Sequence, residues 1–367
     1  MKNKIKDFLF PLIPAIIMGL LVVLEPFASV DYFVCDNAYS NLQGTNSKIK
    51  IIAIDEETLT EYGNFSNWSR EKSAELVELL CEDEATAPSL VGFDIMFIGE
   101  SEVNKEADER LVEACKKAGN VVLATNLVYR GETKTDENGE YYYDSWNIEM
   151  EEMPFDALKE VTKSGFANVQ QAKDGFVRYT QLFAETEDGY RTSFAYALYE
   201  NYMEIMGETP IKPEVNGKNQ VTFFYSGEVG EFTHFSLKEV LNGTVPKSEF
   251  TDCIVLVGAY AAGMQDSYKA TVNRGQNMNG VEINANVLQA LMDGKTATKF
   301  PDEIHALIMM VITYLYFYFA RKQKLLFAII EAVALAGIHI IVGRILALNG
   351  KTITQFYVLL VFILIIA

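Results

Sequence analysis

The sequence predicts an α/β protein: an extracytoplasmic domain with a mixed, partly parallel sheet flanked by helices, carried by about four transmembrane helices, one N-terminal and three C-terminal. Two observations predict this. Long apolar runs stand at the two ends of the chain, and the segment between them alternates short apolar strands with amphipathic helices. Such alternation is typical of parallel strands joined by right-handed crossovers. The middle segment is long enough for one large domain or two small ones.

The membrane prediction rests on four apolar runs: residues 8–24, 304–320, 325–343, and a run that starts near Ile353. A membrane helix needs about 20 mostly apolar residues. The last run reaches the end of the sequence without a polar stop, so the chain is expected to continue beyond it. A cleaved signal peptide is the alternative interpretation of the first run.

Basic residues orient these runs, since lysine and arginine favour the cytoplasmic side. Lys2, Lys4 and Lys6 precede the first run, and a basic cluster at 321–324 follows the second. The short connection 344–351 is then expected outside. The predicted organisation is an N-terminal tip and membrane helix at 1–25, an extracytoplasmic domain at 26–302, and three membrane helices at 303–367.

The net charge of −19 arises from acidic residues in the middle segment. Such a surface argues against nucleic-acid binding and suits a solvated domain, a cation or a basic ligand. The four cysteines, Cys35, Cys81, Cys115 and Cys253, lack metal-type spacing. An extracytoplasmic location permits disulfides, but Cys81 and Cys115 fall in predicted helices and Cys253 begins a predicted strand, which favours free, buried thiols.

Hydrophobic patterning assigns the secondary structure of the middle segment. Residues 130–152 read as a hairpin or an insertion, and two strands, 165–169 and 176–179, are predicted to flank a turn at 173–175 as a hairpin. The other predicted strands are 49–54, 90–93, 121–124, 221–225 and 253–258, and the predicted helices are 70–81 (capped by Ser69), 108–117, 193–206, a short one after Ser236, and 281–292.

Three carboxylates follow predicted strands. Asp55 ends the first strand, Asp94 the second, and Asp266 lies in the loop after strand 253–258. Open α/β sheets bind ligands at the carboxyl ends of their strands. Gathered there, these side chains could coordinate a divalent metal ion or grip an amine. The alternative is that each one caps a helix or ties down a turn.

Four other residues near these carboxylates in the predicted fold are candidates for ligand binding: Gly258, Gly263, Glu282 and Asn284. Gly258 and Gly263 follow a strand much as a phosphate-binding loop does, but they lack both the dinucleotide and the P-loop pattern, so a tight turn against the sheet is favoured. Glu282 and Asn284 stand at the start of helix 281–292. No cofactor is assigned.

Candidate signal-relay residues lie nearer the membrane. Asn286, Leu288 and Leu291 belong to the helix that precedes the second apolar run, and Glu331 and Arg344 lie in or beside the third. Ionisable residues in membrane segments are costly and often functional. Either Arg344 snorkels to the interface while Glu331 faces neighbouring helices, or a polar contact between helices helps to set a signalling state.

Six short motifs stand in the middle segment, at 93–97 (FDIMF), 120–124 (NVVLA), 165–169 (GFANV), 174–178 (DGFVR), 254–266 (IVLVGAYAAGMQD) and 280–291 (GVEINANVLQAL). Together they resemble the second type of CHASE domain, the cyclase- and histidine-kinase-associated sensory extracellular domain. The resemblance covers about residues 25–300, and its last two motifs are specific. Trp68 and Arg70 match only loosely a stretch that is tighter in many members.

The resemblance implies a bacterial receptor module whose usual cytoplasmic partners are nucleotide cyclases, histidine kinases or serine/threonine kinases. The hypothesis is therefore a ligand-sensing extracellular part that relays to a cytoplasmic output domain, with an unidentified small ligand or cation and membrane lipid as partners. By analogy with receptors of this design a homodimer is expected. The alternatives are a membrane-tethered metal-dependent enzyme and an envelope scaffold protein.

Overall fold

A computed structural model describes residues 8–39, 44–102, 104–135, 141–186, 189–272 and 276–358. The chain divides into two compact units. The first, here called the sheet unit, is Leu42–Gly294. The second, here called the helical unit, combines the residues before and after it, up to 41 and from 295. The predicted boundaries at 25 and 302 refer to the membrane and stay predictions.

The helices and strands are numbered in chain order. The helices are α1 (Leu12–Leu24), α2 (Ala28–Tyr39), α3 (Glu56–Tyr62), α4 (Glu71–Leu80), α5 (Lys105–Ala118), α6 (Asp156–Lys159), α7 (Phe194–Ile205), α8 (Leu237–Leu241), α9 (Gly280–Met292), α10 (Asp302–Ala320) and α11 (Leu325–Leu348). The strands are β1 (Ile49–Ile54), β2 (Leu90–Asp94), β3 (Val121–Thr135), β4 (Tyr141–Glu152), β5 (Lys163–Phe166), β6 (Phe176–Val177), β7 (Tyr179–Gln181), β8 (Phe183–Thr186), β9 (Gly189–Thr192), β10 (Gln220–Phe223), β11 (His234–Ser236), β12 (Ile254–Ala259), β13 (Ser267–Ala270), β14 (Asn277–Asn279), β15 (Thr296–Lys299) and β16 (Lys351–Thr352).

A parallel sheet forms the centre of the sheet unit. Its strands lie in the order β11-β1-β12-β2-β3-β5, and every neighbouring pair is parallel. The sequence of β12, Ile-Val-Leu-Val-Gly-Ala, is apolar throughout because both faces of this central strand are buried. The register pairs Ile54 with Ala259 and Gly258 with Asp94. The carboxyl ends of β1, β12 and β2 therefore lie side by side.

Helices cover both faces of this sheet. On one face α7 and α9 contribute Phe194, Leu198 and Leu288 to a core with inward side chains of the strands. On the other face α4, α5 and α8 supply a second core. The sheet unit is thus a three-layer α/β structure, and the predicted mixed α/β class is confirmed.

Smaller strands surround this centre. The part of β3 from Asn126 onwards pairs with β4 as an antiparallel hairpin, which overlaps the region 130–152 predicted as a hairpin or an insertion but begins four residues before it. Its turn, 136–140, is outside the described residues. The strands β7 and β10, β8 and β9, and β13 and β14 form antiparallel pairs.

The predicted hairpin around 173–175 is wrong in its pairing. Both strands exist, but β5 pairs in parallel with β3, and β6 pairs in parallel with β13. The turn between them is held instead by an ion pair, in which the Arg178 guanidinium donates to both carboxylate oxygens of Asp174 at 2.7 and 2.8 Å. This ion pair lowers the pKa of Asp174 although burial opposes the shift. The sequence therefore predicted the turn at 173–175, but it did not predict the strands with which β5 and β6 pair.

Two helix starts also differ from prediction. Helix α4 has Arg70, not Ser69, at its N-cap position. Helix α5 begins at Lys105 rather than near 108, because the Asn104 side chain accepts a hydrogen bond from the backbone N–H of Ala107 at 3.1 Å. An asparagine cap extends the helix by almost one turn.

In the helical unit, α10 and α11 are long and apolar enough to cross a membrane. Helices α1 and α2 meet the same criterion only as a pair, with an 84° bend between them. Helix α11 runs on through Arg344 to Leu348, so the connection that was expected to start at residue 344 starts at Asn349. Of the fourth apolar run the structure describes residues up to 358, which are helical from Phe356, and the rest lies outside the described residues.

Candidate functional site

Asp94 stands at the carboxyl end of β2 and faces helix α9. Its carboxylate accepts a hydrogen bond from the side-chain amide of Asn284 at 2.9 Å. Burial of the carboxyl group, and secondly the negative charge of Asp266, raise the pKa of Asp94 to about 7, against the opposing effect of the Asn284 bond. No described basic side chain forms an ion pair with Asp94.

Asp266 lies at the end of the loop that follows β12. Its backbone carbonyl accepts from the N–H of Gly280 at 3.0 Å, and its carboxylate packs against the Cα of that glycine, where any larger residue would collide with it. Burial raises the pKa of Asp266, and a hydrogen bond from the Tyr268 hydroxyl opposes the rise. The structure thus brings Asp266 and Asp94 together beside the first turns of α9.

Asp55 has a different environment. It is the N-cap of α3, and its Oδ1 accepts from the backbone N–H and the hydroxyl of Thr58 at 2.8 and 2.6 Å and from the hydroxyl of Ser236 at 2.9 Å. This is the capping arrangement named as the alternative for this carboxylate. Among the described residues no group of three or more histidine, cysteine, aspartate or glutamate side chains is placed to hold a metal ion. The ligand and metal roles of the three aspartates stay predictions.

Helix α9 is buried from Gly280 to Leu291 although it carries several polar side chains. Two of them lie on one side, at positions four residues apart. Glu282 Oε1 accepts from the N–H of Gly230 at 2.6 Å, and Asn286 Oδ1 accepts from the N–H groups of Ser226 and Gly227 at 3.0 and 3.1 Å. These bonds fasten the loop that precedes β11 to the helix.

Gln289 continues the same side of α9 one turn further on. Its Oε1 accepts from the N–H of Asn46 at 3.0 Å, and its Nε2 donates to the carbonyl of Gly44 at 3.1 Å. The segment that leads into β1 is therefore also fastened to α9. Sequence reasoning named Glu282, Asn284 and Asn286 but missed Gln289, whose spacing of three residues from Asn286 was the available signal.

Tyr260 and Tyr268 were also missed. Burial, and then the Glu282 carboxylate, raise the pKa of Tyr260, but no hydrogen bond of standard geometry reaches its hydroxyl within the described part of the chain. Its ring stacks on His234 with centroids 5.0 Å apart. His234, the one histidine in the sequence of this unit, thus packs against an aromatic ring.

The two candidate glycines differ in their surroundings. Gly258 lies directly beneath α9, so that a Cβ on it would come within 2.7 Å of the Cβ of Val281. Gly263 is exposed and has open space around its Cα. With Phe65 and Met264 it lines a groove of about 320 Å³ between the loops that follow β1 and β12.

Gly258→Ala is expected to destabilise the protein by roughly 2–3 kcal/mol, because the added methyl group must push α9 away from β12. Gly263→Ala is the matched control and should change stability by less than about 0.5 kcal/mol. Thermal unfolding of the full chain in lipid nanodiscs measures both. Equal stability of the two variants would show that α9 does not pack tightly at Gly258.

The remaining candidates are placed as follows. Leu288 and Leu291 are core residues of the sheet unit, whereas Glu331 and Arg344 are exposed on α11. Arg70 is structural: its guanidinium donates to Asp108 at 2.6 Å and lies over the ring of Phe155. All four cysteines are free, and two of them, Cys115 and Cys253, are buried.

The family assignment follows from the sequence profile of the CHASE2 domain, which matches residues 13–318. This chain belongs to the CHASE2 family. CHASE2 domains are extracellular sensory domains, and the sheet unit lies wholly within the matched residues. Neither the curated proteins nor the solved structures contain a significant match to the chain.

Proposed function

We propose that this CHASE2 protein is the ligand-sensing extracytoplasmic part of a bacterial transmembrane receptor that relays its state to a cytoplasmic output domain. The observation that carries the proposal is the position of α9. One side of this buried helix contacts the carboxylate edge of the sheet through Asn284, and another side fastens two loops through Glu282, Asn286 and Gln289.

The site supports recognition of a cation or an amine. Asp94 and Asp266 place two carboxyl groups together, and neither has a basic partner among the described residues. A cationic ligand would neutralise their mutual repulsion, and would favour the ionised state in which both carboxylates face it. The groove that Gly263 and Phe65 line lies between the loops that follow β1 and β12, and it offers apolar surface to a small molecule at the same end of the sheet.

Binding at this edge would act through two states of α9. A ligand that binds one arrangement of the Asp94–Asn284 contact better shifts the population toward that arrangement, and the coupling equals its differential affinity for the two states. The chain passes from α9 through residues 293–301 into α10, a helix that is long and apolar enough to span a membrane. A displacement of α9 would therefore move the start of α10.

The proposed output reaction rests on family resemblance. Nucleotide cyclases, histidine kinases and serine/threonine kinases are the usual cytoplasmic partners of this domain type, so one of these is the proposed output. The helices α10 and α11 present apolar side chains suited to lipid, and a homodimer is the proposed signalling form.

Asp94→Ala and Asp266→Ala are expected to change the basal output of the full-length receptor in its native membranes at least about fivefold, while the cooperative thermal unfolding of the protein is kept. Output is measured as cyclic nucleotide or as phosphorylated product. The exposed Asp83, whose carboxylate accepts only from the N–H of Ala85 among the bonds described, provides the control Asp83→Ala.

Two results would contradict the proposal. Loss of the cooperative transition in both variants would show that the carboxylates serve the fold. Unchanged output with an intact transition would show that the Asp94–Asp266 edge takes no part in sensing.

A further inference from the structure

In the helical unit, a side chain of α2 caps the helical turn that begins at Phe356. Asp31 Oδ1 accepts from the backbone N–H groups of Gln355 and Phe356, each at 2.7 Å. The first N–H groups of a helix have no partner inside the helix, so a carboxylate placed there satisfies them. Asp31 is only 4% exposed and stands 324 residues away from Gln355. The cap is therefore supplied by a distant part of the chain.

Helix α2 contacts the same segment at both of its ends. The Tyr39 hydroxyl donates to the carbonyl of Ile353 at 2.6 Å and accepts from Nε2 of Gln355 at 2.9 Å. At the other end the N–H of Phe27 donates to the Tyr357 hydroxyl at 3.1 Å. The start of the capped helix is thus held along the whole length of α2.

A local capping residue is present but is not used. Thr354 is 2% exposed, and its carbonyl accepts from Nε2 of His339 at 2.9 Å. Its hydroxyl has no hydrogen-bond partner in the described part of the chain. Threonine is a preferred N-cap residue, and it accepts from the N–H two or three positions further on. For Thr354 the nearer of these is the N–H of Phe356, which Asp31 holds.

We propose that Asp31 and Thr354 exchange as caps of this helix and so give the helical unit a two-state element of its own. With Asp31 bound, the helix begins at Phe356 and α2 is docked. With Thr354 as the cap, the helix gains one residue at its start, and Asp31 and α2 are released. The charge-assisted bonds of Asp31 favour the docked state, which is the state that the structure shows.

This element goes beyond a relay through α9. It couples the bent pair α1–α2 to the helix that begins at Phe356, and the side chains that carry it belong to the helical unit alone. A partner or a lipid that draws α2 away would move the start of that helix by one residue. The loss of the hydrogen bonds of one cap is offset by the gain of those of the other. The segment therefore has two defined states instead of a continuous range of conformations.

The reactivity of the Cys35 thiol distinguishes the state capped by Asp31 from the state capped by Thr354. Cys35 lies one turn after Asp31, and its thiol can donate its one hydrogen either to Asp31 Oδ2 at 3.6 Å or to the carbonyl of Ile353 at 3.7 Å. Release of α2 therefore exposes this thiol. Cys115, 0% exposed in the core of the sheet unit, serves as the reference for global unfolding.

The test is the rate of alkylation of Cys35 by N-ethylmaleimide in the full chain in lipid nanodiscs, followed by peptide mass spectrometry. Asp31→Asn should raise the rate about tenfold, because it removes the charge that favours the docked state. Thr354→Val, which keeps the shape and removes the hydroxyl, should lower the rate at least about twofold, because the competing cap is lost. Thr354→Ser should keep the wild-type rate.

An unchanged rate in Asp31→Asn would overturn the proposal. A wild-type rate in Thr354→Val would overturn it as well, since Asp31 would then be a fixed cap without a competitor. If Asp31→Asn also accelerates the alkylation of Cys115, the protein has unfolded, and the decision rests on the comparison of Thr354→Val with Thr354→Ser.

Discussion

Asp94→Asn is expected to stabilise the protein at pH 8 by on the order of 2–4 kcal/mol, although it removes a charged side chain from the candidate site. The folded state raises the pKa of Asp94 from 3.8 to about 7, so ionisation of this carboxyl disfavours folding. An asparagine keeps an oxygen that can accept from Asn284 and carries no charge to repel Asp266.

The sign of the pH dependence follows from the same shift. If folding raises the pKa of a group, the protonated form of that group is favoured in the folded state. The resulting stability is fully present at pH values below the unfolded pKa, and it is lost as the pH rises through the folded pKa. Wild-type stability should therefore fall between about pH 4 and pH 7.5, with a further contribution of the same sign from Asp266, whose pKa is also raised. In Asp94→Asn most of this fall should be absent.

Thermal unfolding of the full chain in nanodiscs between pH 4.5 and pH 8.5, followed by tryptophan fluorescence, measures this effect. The control is Asp83→Asn, which makes the same change at an exposed carboxylate that also accepts a hydrogen bond. It should leave the pH profile of the wild type unchanged. An Asp94→Asn protein with the wild-type pH profile, or with lower stability than the wild type at pH 8, would show that the Asp94 carboxylate is ionised without cost in the folded state.

Asn286→Ala is expected to destabilise the sheet unit by about 3–4 kcal/mol. The side chain is 0% exposed, and its loss leaves the N–H groups of Ser226 and Gly227 buried without their acceptor. Each unsatisfied buried donor costs roughly 1–3 kcal/mol, and the lost volume adds to this. Hydrogen exchange in the peptide around 226–230 should accelerate, because the loop loses its attachment to α9.

Asn201→Ala supplies the matched control. Asn201 is also buried on a helix, at 7% exposure, but its side-chain amide donates to the carbonyl of Ala197 in its own helix. Its removal should cost about 1 kcal/mol, since no described group of another element loses a hydrogen bond with it. Equal losses in the two variants would indicate that the Asn286 bonds to the loop contribute nothing beyond burial.

Much of the sheet could be predicted because its signals are local. The strands around Ile51, Val91 and Val257 are mostly apolar, and the first two of them lead directly to an aspartate at the edge where the strand ends. The central position of β12 could not be predicted, since this strand comes late in the chain and inserts between β1 and β2. The same limitation explains the wrong hairpin at β5 and β6, whose partners are distant in sequence.

The candidate site could also be predicted only in part. The sequence identified strand-end carboxylates but could not distinguish Asp55, which caps α3, from Asp94, which faces α9, because both follow an apolar strand. The contacts of α9 with residues 44–46 and 226–230 depend on loops that carry no motif. In the helical unit, α2 was not predicted because its apolar and polar residues alternate irregularly, and its role depends on a cap from Asp31 across the whole length of the chain.

The measurement that tests the central proposal most directly is hydrogen exchange of the full chain in nanodiscs at pH 8, with Asp94→Asn compared with wild type and with Asp83→Asn. If the sheet edge is relayed through α9, exchange should change in peptides covering 260–266, in peptides from α9, and in peptides that span residues 293–305 at the start of α10. A change confined to 260–266, with α9 and residues 293–305 as in the wild type, would contradict the relay.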